Sequence, residues 1–179
     1  MSRIDLAAYR ESIAAKLADA QAGAGIPALL GFESGERYWL IDLPAAGEVL
    51  PLPPIVPVPL TQPWLAGLAS VHGELQAVVD FSLFCGGLPT PRDAAARLLR
   101  IGTRLGGNAA LLVARVHGLK RADMLYAADE DTASHGWCGA TLADNQGERW
   151  VCLDPARLLA DPAFRDAALP DATSGFGTS

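Results

Sequence analysis

Residues 64–84 read WLAGLASVHGELQAVVDFSLF. Trp64, Leu65 and Leu68 fall at i, i+1 and i+4, a spacing that predicts one helical turn. Gly67 lies inside that turn, where a missing side chain lets another backbone come close. His72-Gly73 interrupts it, and from Glu74 the period changes to two. Leu75, Ala77, Val79 and Phe81 point one way, while Glu74, Gln76, Val78 and Asp80 point the other, and only the second set carries charge. The stretch predicts a half-buried strand entered through a glycine hinge, with Asp80 capping or anchoring its end.

Upstream, Ala28–Glu33 and Arg37–Leu43 read as two strands joined at Ser34-Gly35-Glu36, a hairpin signal. Pro44, Pro51, Pro53, Pro54, Pro57, Pro59 and Pro63 follow, so Glu48–Leu50 is expected to be only a short strand. The Val, Leu and Ile between these prolines suit a segment packed on a core better than an exposed ligand for a proline-recognition domain.

Together, Glu48-Val49-Leu50, then Val58-Pro59, then Trp64-Leu65-x-Gly67-Leu68-x-x-Val71-x-Gly73-x-Leu75-x-x-Val78-Val79-Asp80 resemble the CheW-like domain of bacterial chemosensory adaptors. The resemblance implies a mainly β fold: two five-stranded SH3-like barrel subdomains around a shared core, with an N-terminal helix and short C-terminal helices. It implies a CheW-like domain over residues 26–169, with nominal subdomains 26–90 and 91–169 and chain crossing between them. Residues 1–25 are expected to form an N-terminal helix, and 170–179 a disordered tail. The family usually carries Arg before the hinge glycine, where this chain has His72. For receptor contact the resemblance points to Glu48, Val49, Gly67, Val71, His72, Gly73 and Val113. Gly67 and Gly73 would keep a groove open, so Gly67→Asp is expected to leave the fold intact and abolish coupling.

Downstream, Ala96–Ile101 and Ala109–Val116 read as a hairpin, although the alanines of residues 94–99 also fit a helix. The nearly continuous apolar run 111–116 indicates burial on both faces. Residues 118–137 read as a long connection. Cys138–Ala143 and Arg149–Leu153 form a last hairpin, and Asp154-Pro155 then Asp161-Pro162 each open a short helix. At the other end, Leu6, Tyr9, Ile13 and Leu17 make an apolar stripe over residues 4–22, an amphipathic helix. That helix and the ending WVCLDPARLLADPAFRDAAL resemble the PilI-like, type IV pilus branch of the family.

With 179 residues, half of them apolar, and a mean hydropathy of +0.21, there is ample material for a core. Only 19% of residues are charged, which predicts some exposed apolar surface and a protein partner. A net charge of −6 and a pI near 4.9 argue against nucleic acid. Cys85, Cys138 and Cys152 form no C-x-x-C pair, consistent with free thiols in the cytoplasm. No run has the length of a membrane span.

The chain also lacks the usual marks of catalysis. Gly102–Gly107 has the glycine spacing of a phosphate loop, but Asn108 stands where its lysine belongs. DEDTASHG at 129–136 lacks the ligand spacing and glycine bend of a calcium loop. Glu74 and Asp80 share a strand face but lie about 20 Å apart along it, too far to share a ligand with His72. His117 and His135 fall in expected loops. No enzymatic activity, cofactor or metal is expected. The expected function is an adaptor that bridges a methyl-accepting chemoreceptor and a CheA-type histidine kinase in a twitching-motility system. A small-ligand-binding barrel, or an adaptor of another chemosensory system, is the alternative.

Overall fold

The computed structural model describes residues 28–102, 107–128 and 135–167. The expected N-terminal helix and tail lie outside these residues.

The chain opens with the expected hairpin, β1 (Ala28–Ser34) and β2 (Arg37–Asp42), turned at Gly35. It then leaves for a second sheet: β3 (Ala46–Pro51), β4 (Leu65–Val71), β5 (Glu74–Asp80), the turn-length helix α1 (Phe81–Phe84), β6 (Arg97–Ile101) and β7 (Ala109–Val113). At Ala114 it crosses back as β8 (Arg115–Arg121), then β9 (Tyr126–Ala127), β10 (Cys138–Ala143) and β11 (Arg149–Leu153). Helices α2 (Pro155–Ala160) and α3 (Pro162–Arg165) close the described chain, capped by Asp154 and Asp161 as the sequence predicts.

The first sheet has the strand order β8-β1-β2-β11-β10-β9 and the second β3-β6-β7-β5-β4. Strands 97–113 thus pair with strands from 46–80, so the second sheet spans both sides of residue 90. The protein is mainly β, but among the described residues it forms open sheets of six and five strands rather than two five-stranded closed ladders. In the second sheet the chain after β3 does return to β4, through one bridge: Val56 N–H donates to Leu68 O and Leu68 N–H to Val56 O, both 2.8 Å. Pro53, Pro54, Pro57 and Pro59 around Val56 have no N–H to donate, which keeps this bridge from extending into a ladder.

Three local expectations are corrected. The Trp64 turn is strand: β4 runs from Leu65 beside β5, with a register shift between Leu65 and Gly67. That shift places one extra residue in β4 and breaks the two-residue period, producing a spacing that mimics a helix. Residues 109–116 are not one strand. β7 is buried throughout in the second sheet, whereas β8 belongs to the first. Finally, part of the long connection is strand, because β8 pairs with β1 along an alternating, half-exposed face. His117, Lys120 and Arg121 disguise it as loop.

Two apolar clusters hold the sheets. The larger lies between them and contains Phe32, Trp39, Phe81, Leu99, Leu111, Val113 and Trp137. Its rings pack closely, with Trp39 and Phe81 centroids 5.0 Å apart. α3 adds Phe164, stacked on Trp64 at 6.2 Å. The smaller cluster, Ala69, Val71, Val78, Leu98, Ala110 and Leu112, covers the other face of the second sheet. Leu52 and Ile55 of the proline-rich segment pack on it. Asp80 ends β5: its carboxylate accepts from Leu83 N–H at 3.3 Å, Thr90 N–H at 2.9 Å and the Thr90 hydroxyl at 2.6 Å.

Candidate functional site

The β4–β5 turn places His72 and Gly73 at φ +53° and +81°. A glycine holds that conformation without strain, whereas a histidine holds it at some cost. The turn carries the imidazole out over β3. His72 Nε2 lies 3.0 and 2.9 Å from the two carboxylate oxygens of Glu48, 24 residues away. Both side chains are open to solvent, His72 at 64% and Glu48 at 42%.

Two further residues complete the cluster. Arg100 projects from β6 and donates through Nη2 to Glu74 Oε2 at 2.8 Å. Its Nη1 lies 3.8 Å from Glu48 Oε2, a charge contact beyond hydrogen-bond range. The Arg100 side chain is only 12% exposed, so the guanidinium lies beneath a rim of carboxylates. The sequence offered no mark on Arg100, because its meeting with Glu48 and Glu74 depends on strand register. Glu74 was visible as an outward strand residue, but not its partner.

Of the other expected site residues, Val49 is exposed at 37%, Val71 is buried beside the turn, and Val113 is fully buried in the core between the sheets. Gly67 lies under the proline-rich segment with φ +138°. A Cβ there would overlap the Val56 carbonyl and stand 2.9 Å from Ile55 Cγ2. The expectation that Gly67→Asp leaves the fold intact is therefore corrected, because Gly67 allows two backbones to touch. Gly73, in contrast, has open space where a side chain would project.

The remaining histidines are also placed. His117 lies on β8, not in a loop, with Nε2 3.2 Å from Glu33 and its ring edge on Tyr38 and Trp150. Beside it the Lys120 ammonium sits 4.5 Å over Trp150, whose indole N–H donates to Asp144. Burial alone would raise the Asp144 carboxyl. Hydrogen bonds from Trp150, the Glu148 and Gln146 backbones and Lys120 outweigh it and hold the group below its usual range. His135 stacks on Trp137 at 4.8 Å. Burial, reinforced by Cys138 and Asp80, pushes the Cys85 thiol up to about 12.

Among the described residues, no three His, Cys, Asp or Glu side chains are grouped to hold a metal ion. None of the described helices is long and apolar enough to cross a membrane. A groove of about 300 Å³ beside α2 and α3 is lined by Trp64, Val79, Leu159 and Phe164, with Asn108 and Arg165 as its polar residues. Taken together, the arrangement offers ionic and shape recognition on an exposed turn.

Comparison with known proteins identifies related chains and folds. The CheW-like domain family matches residues 28–163. Protein PilI of Pseudomonas aeruginosa is 28% identical over 144 residues, covering 78% of this chain and 79% of its own length. The crystal structure of the scaffolding protein TtCheW from Thermoanaerobacter tengcongensis superimposes with a TM-score of 0.61 at 16% identity. That match spans 72% of this chain and 88% of the other.

Proposed function

Because this chain belongs to the CheW-like domain family, we propose that it is a non-enzymatic adaptor joining a chemoreceptor to a CheA-type histidine kinase in the cytoplasm. The match to Protein PilI favours a type IV pilus, twitching-motility pathway over a swimming one. An adaptor has a geometric task, to hold two partners in fixed relation. Rigid sheets with an exposed, charged turn serve that task without a reacting group.

The observation that carries this reading is the family match over 28–163, with an exposed Glu48–His72 pair at the family's hinge position. On this reading Glu48, Val49, His72 and Gly73 meet the receptor tip directly. Gly67, Val71 and Val113 shape the surface from below. The test is reconstitution from purified receptor cytoplasmic domain, kinase and full-length chain. The kinase should co-sediment with receptor only when the chain is present. Recovery that is equal with and without the chain would reject the adaptor role.

A further inference from the structure

We infer that Arg100 is a positioning residue of the proposed docking rim, holding Glu74 by a hydrogen bond and setting a permanent charge beside Glu48. This rests on the docking role proposed for Glu48 and His72, and it adds a residue from a strand outside the hinge motif.

The charged and titratable groups of the cluster come from four places: Glu48 from β3, His72 from the β4–β5 turn, Glu74 from β5 and Arg100 from β6. Glu48 is approached from both sides, by the imidazole at 2.9 Å and by the guanidinium at 3.8 Å. The two contacts of Arg100 differ in kind: a charge-assisted hydrogen bond to Glu74 and a longer charge contact to Glu48. The guanidinium that makes both carries a permanent charge.

Burial separates the roles. Glu74 is 66% exposed and Glu48 42%, while Arg100 is 12% exposed. A partner therefore meets the carboxylates, and the arginine acts through them. Its Nε is buried without a hydrogen-bond partner among the described residues, so the hydrogen bond from Nη2 to Glu74 is what fixes the guanidinium's direction. Without Arg100, Glu74 would lose its donor and Glu48 would keep only the imidazole contact.

The test has two arms. The first needs no partner: NMR of the Arg100 guanidinium should show hindered rotation with distinct Nη signals, averaged in Glu74→Gln. Free rotation in the unaltered protein overturns the inference. The second measures binding of the receptor cytoplasmic domain to the full-length chain. Arg100→Met should weaken it roughly tenfold, and Arg100→Lys, which keeps a permanent charge at the site, should recover most of that loss. A loss in Arg100→Met that Arg100→Lys leaves unrepaired marks a merely structural role and overturns the inference, as does unchanged binding. If the unaltered protein binds no receptor, the docking reading falls and the first arm alone decides what Arg100 holds.

Discussion

Gly67→Ala is the substitution whose cost follows most directly from the structure. Gly67 has φ +138°, a region open to glycine and strained for other residues, which costs about 1–3 kcal/mol. The added Cβ would also overlap the Val56 carbonyl, with Val56 C 2.7 Å away. That contact is backbone, so relief requires the proline-rich segment to lift. Lifting it breaks the Val56–Leu68 pair of hydrogen bonds, each contributing about 0.5–1.5 kcal/mol. The total is about 2–6 kcal/mol, a large share of the 5–15 kcal/mol, roughly, by which a domain is stable. Urea unfolding followed by tryptophan fluorescence reads this loss as a fall in midpoint of roughly 1–3 M, at a slope of about 2 kcal/mol per molar. Gly73→Ala is the control: it carries positive-φ strain at +81° with nothing within 4 Å, and should lose only about 1 kcal/mol. Equal losses at the two positions, or a Gly67→Ala change under about 0.5 kcal/mol, would refute the collision argument.

Three further outcomes are expected. His72→Arg should keep or raise receptor affinity, since a permanent cation would face Glu48; a clear loss by calorimetric titration would mean that the partner needs the imidazole itself. Asp144→Asn should destabilise the protein by about 1–2 kcal/mol at neutral pH through weakened bonds from Trp150, Glu148 and Lys120. Because the folded carboxyl is held below its ordinary range, that stabilisation is present above the unfolded pKa and lost as pH falls through the folded one, so the gap between variant and parent should close in acid; a gap that widens there contradicts the assignment. Cys85, pushed up to about 12 by burial, should resist alkylation by iodoacetamide at neutral pH until the protein unfolds. Rapid labelling of folded protein at Cys85, located by peptide mass, would disprove that burial.

Strand positions were largely legible because they are local. The strand from Glu74, the hairpin at Gly35 and the Asp-Pro helix openings each carry their signal within a few residues, and each stands in the structure. The half-buried face expected of that strand is corrected: Gln76, Val78, Val79 and Asp80 are all buried while Leu75 is 64% exposed, because β5 lies inside its sheet between β4 and β7 with packing on both faces. Where local spacing misled, a sheet had overridden it. The bulge at Leu65–Gly67 imitated a helical period, and the basic residues of β8 hid an edge strand. The hinge motif likewise pointed to Glu48, His72 and Gly73 one by one.

What no local pattern held is which charges meet. Glu48 and His72 are 24 residues apart, Arg100 and Glu74 26, and they converge only because β3, β5 and β6 share one sheet with the β4–β5 turn at its rim. The role of Gly67 was equally hidden, since the backbone it admits belongs to a proline-rich segment whose course depends on packing against the second sheet. Sequence determines where the chain extends and bends through short-range periodicity and backbone preference. The meeting of distant side chains depends on register and sheet curvature, which the whole core decides together.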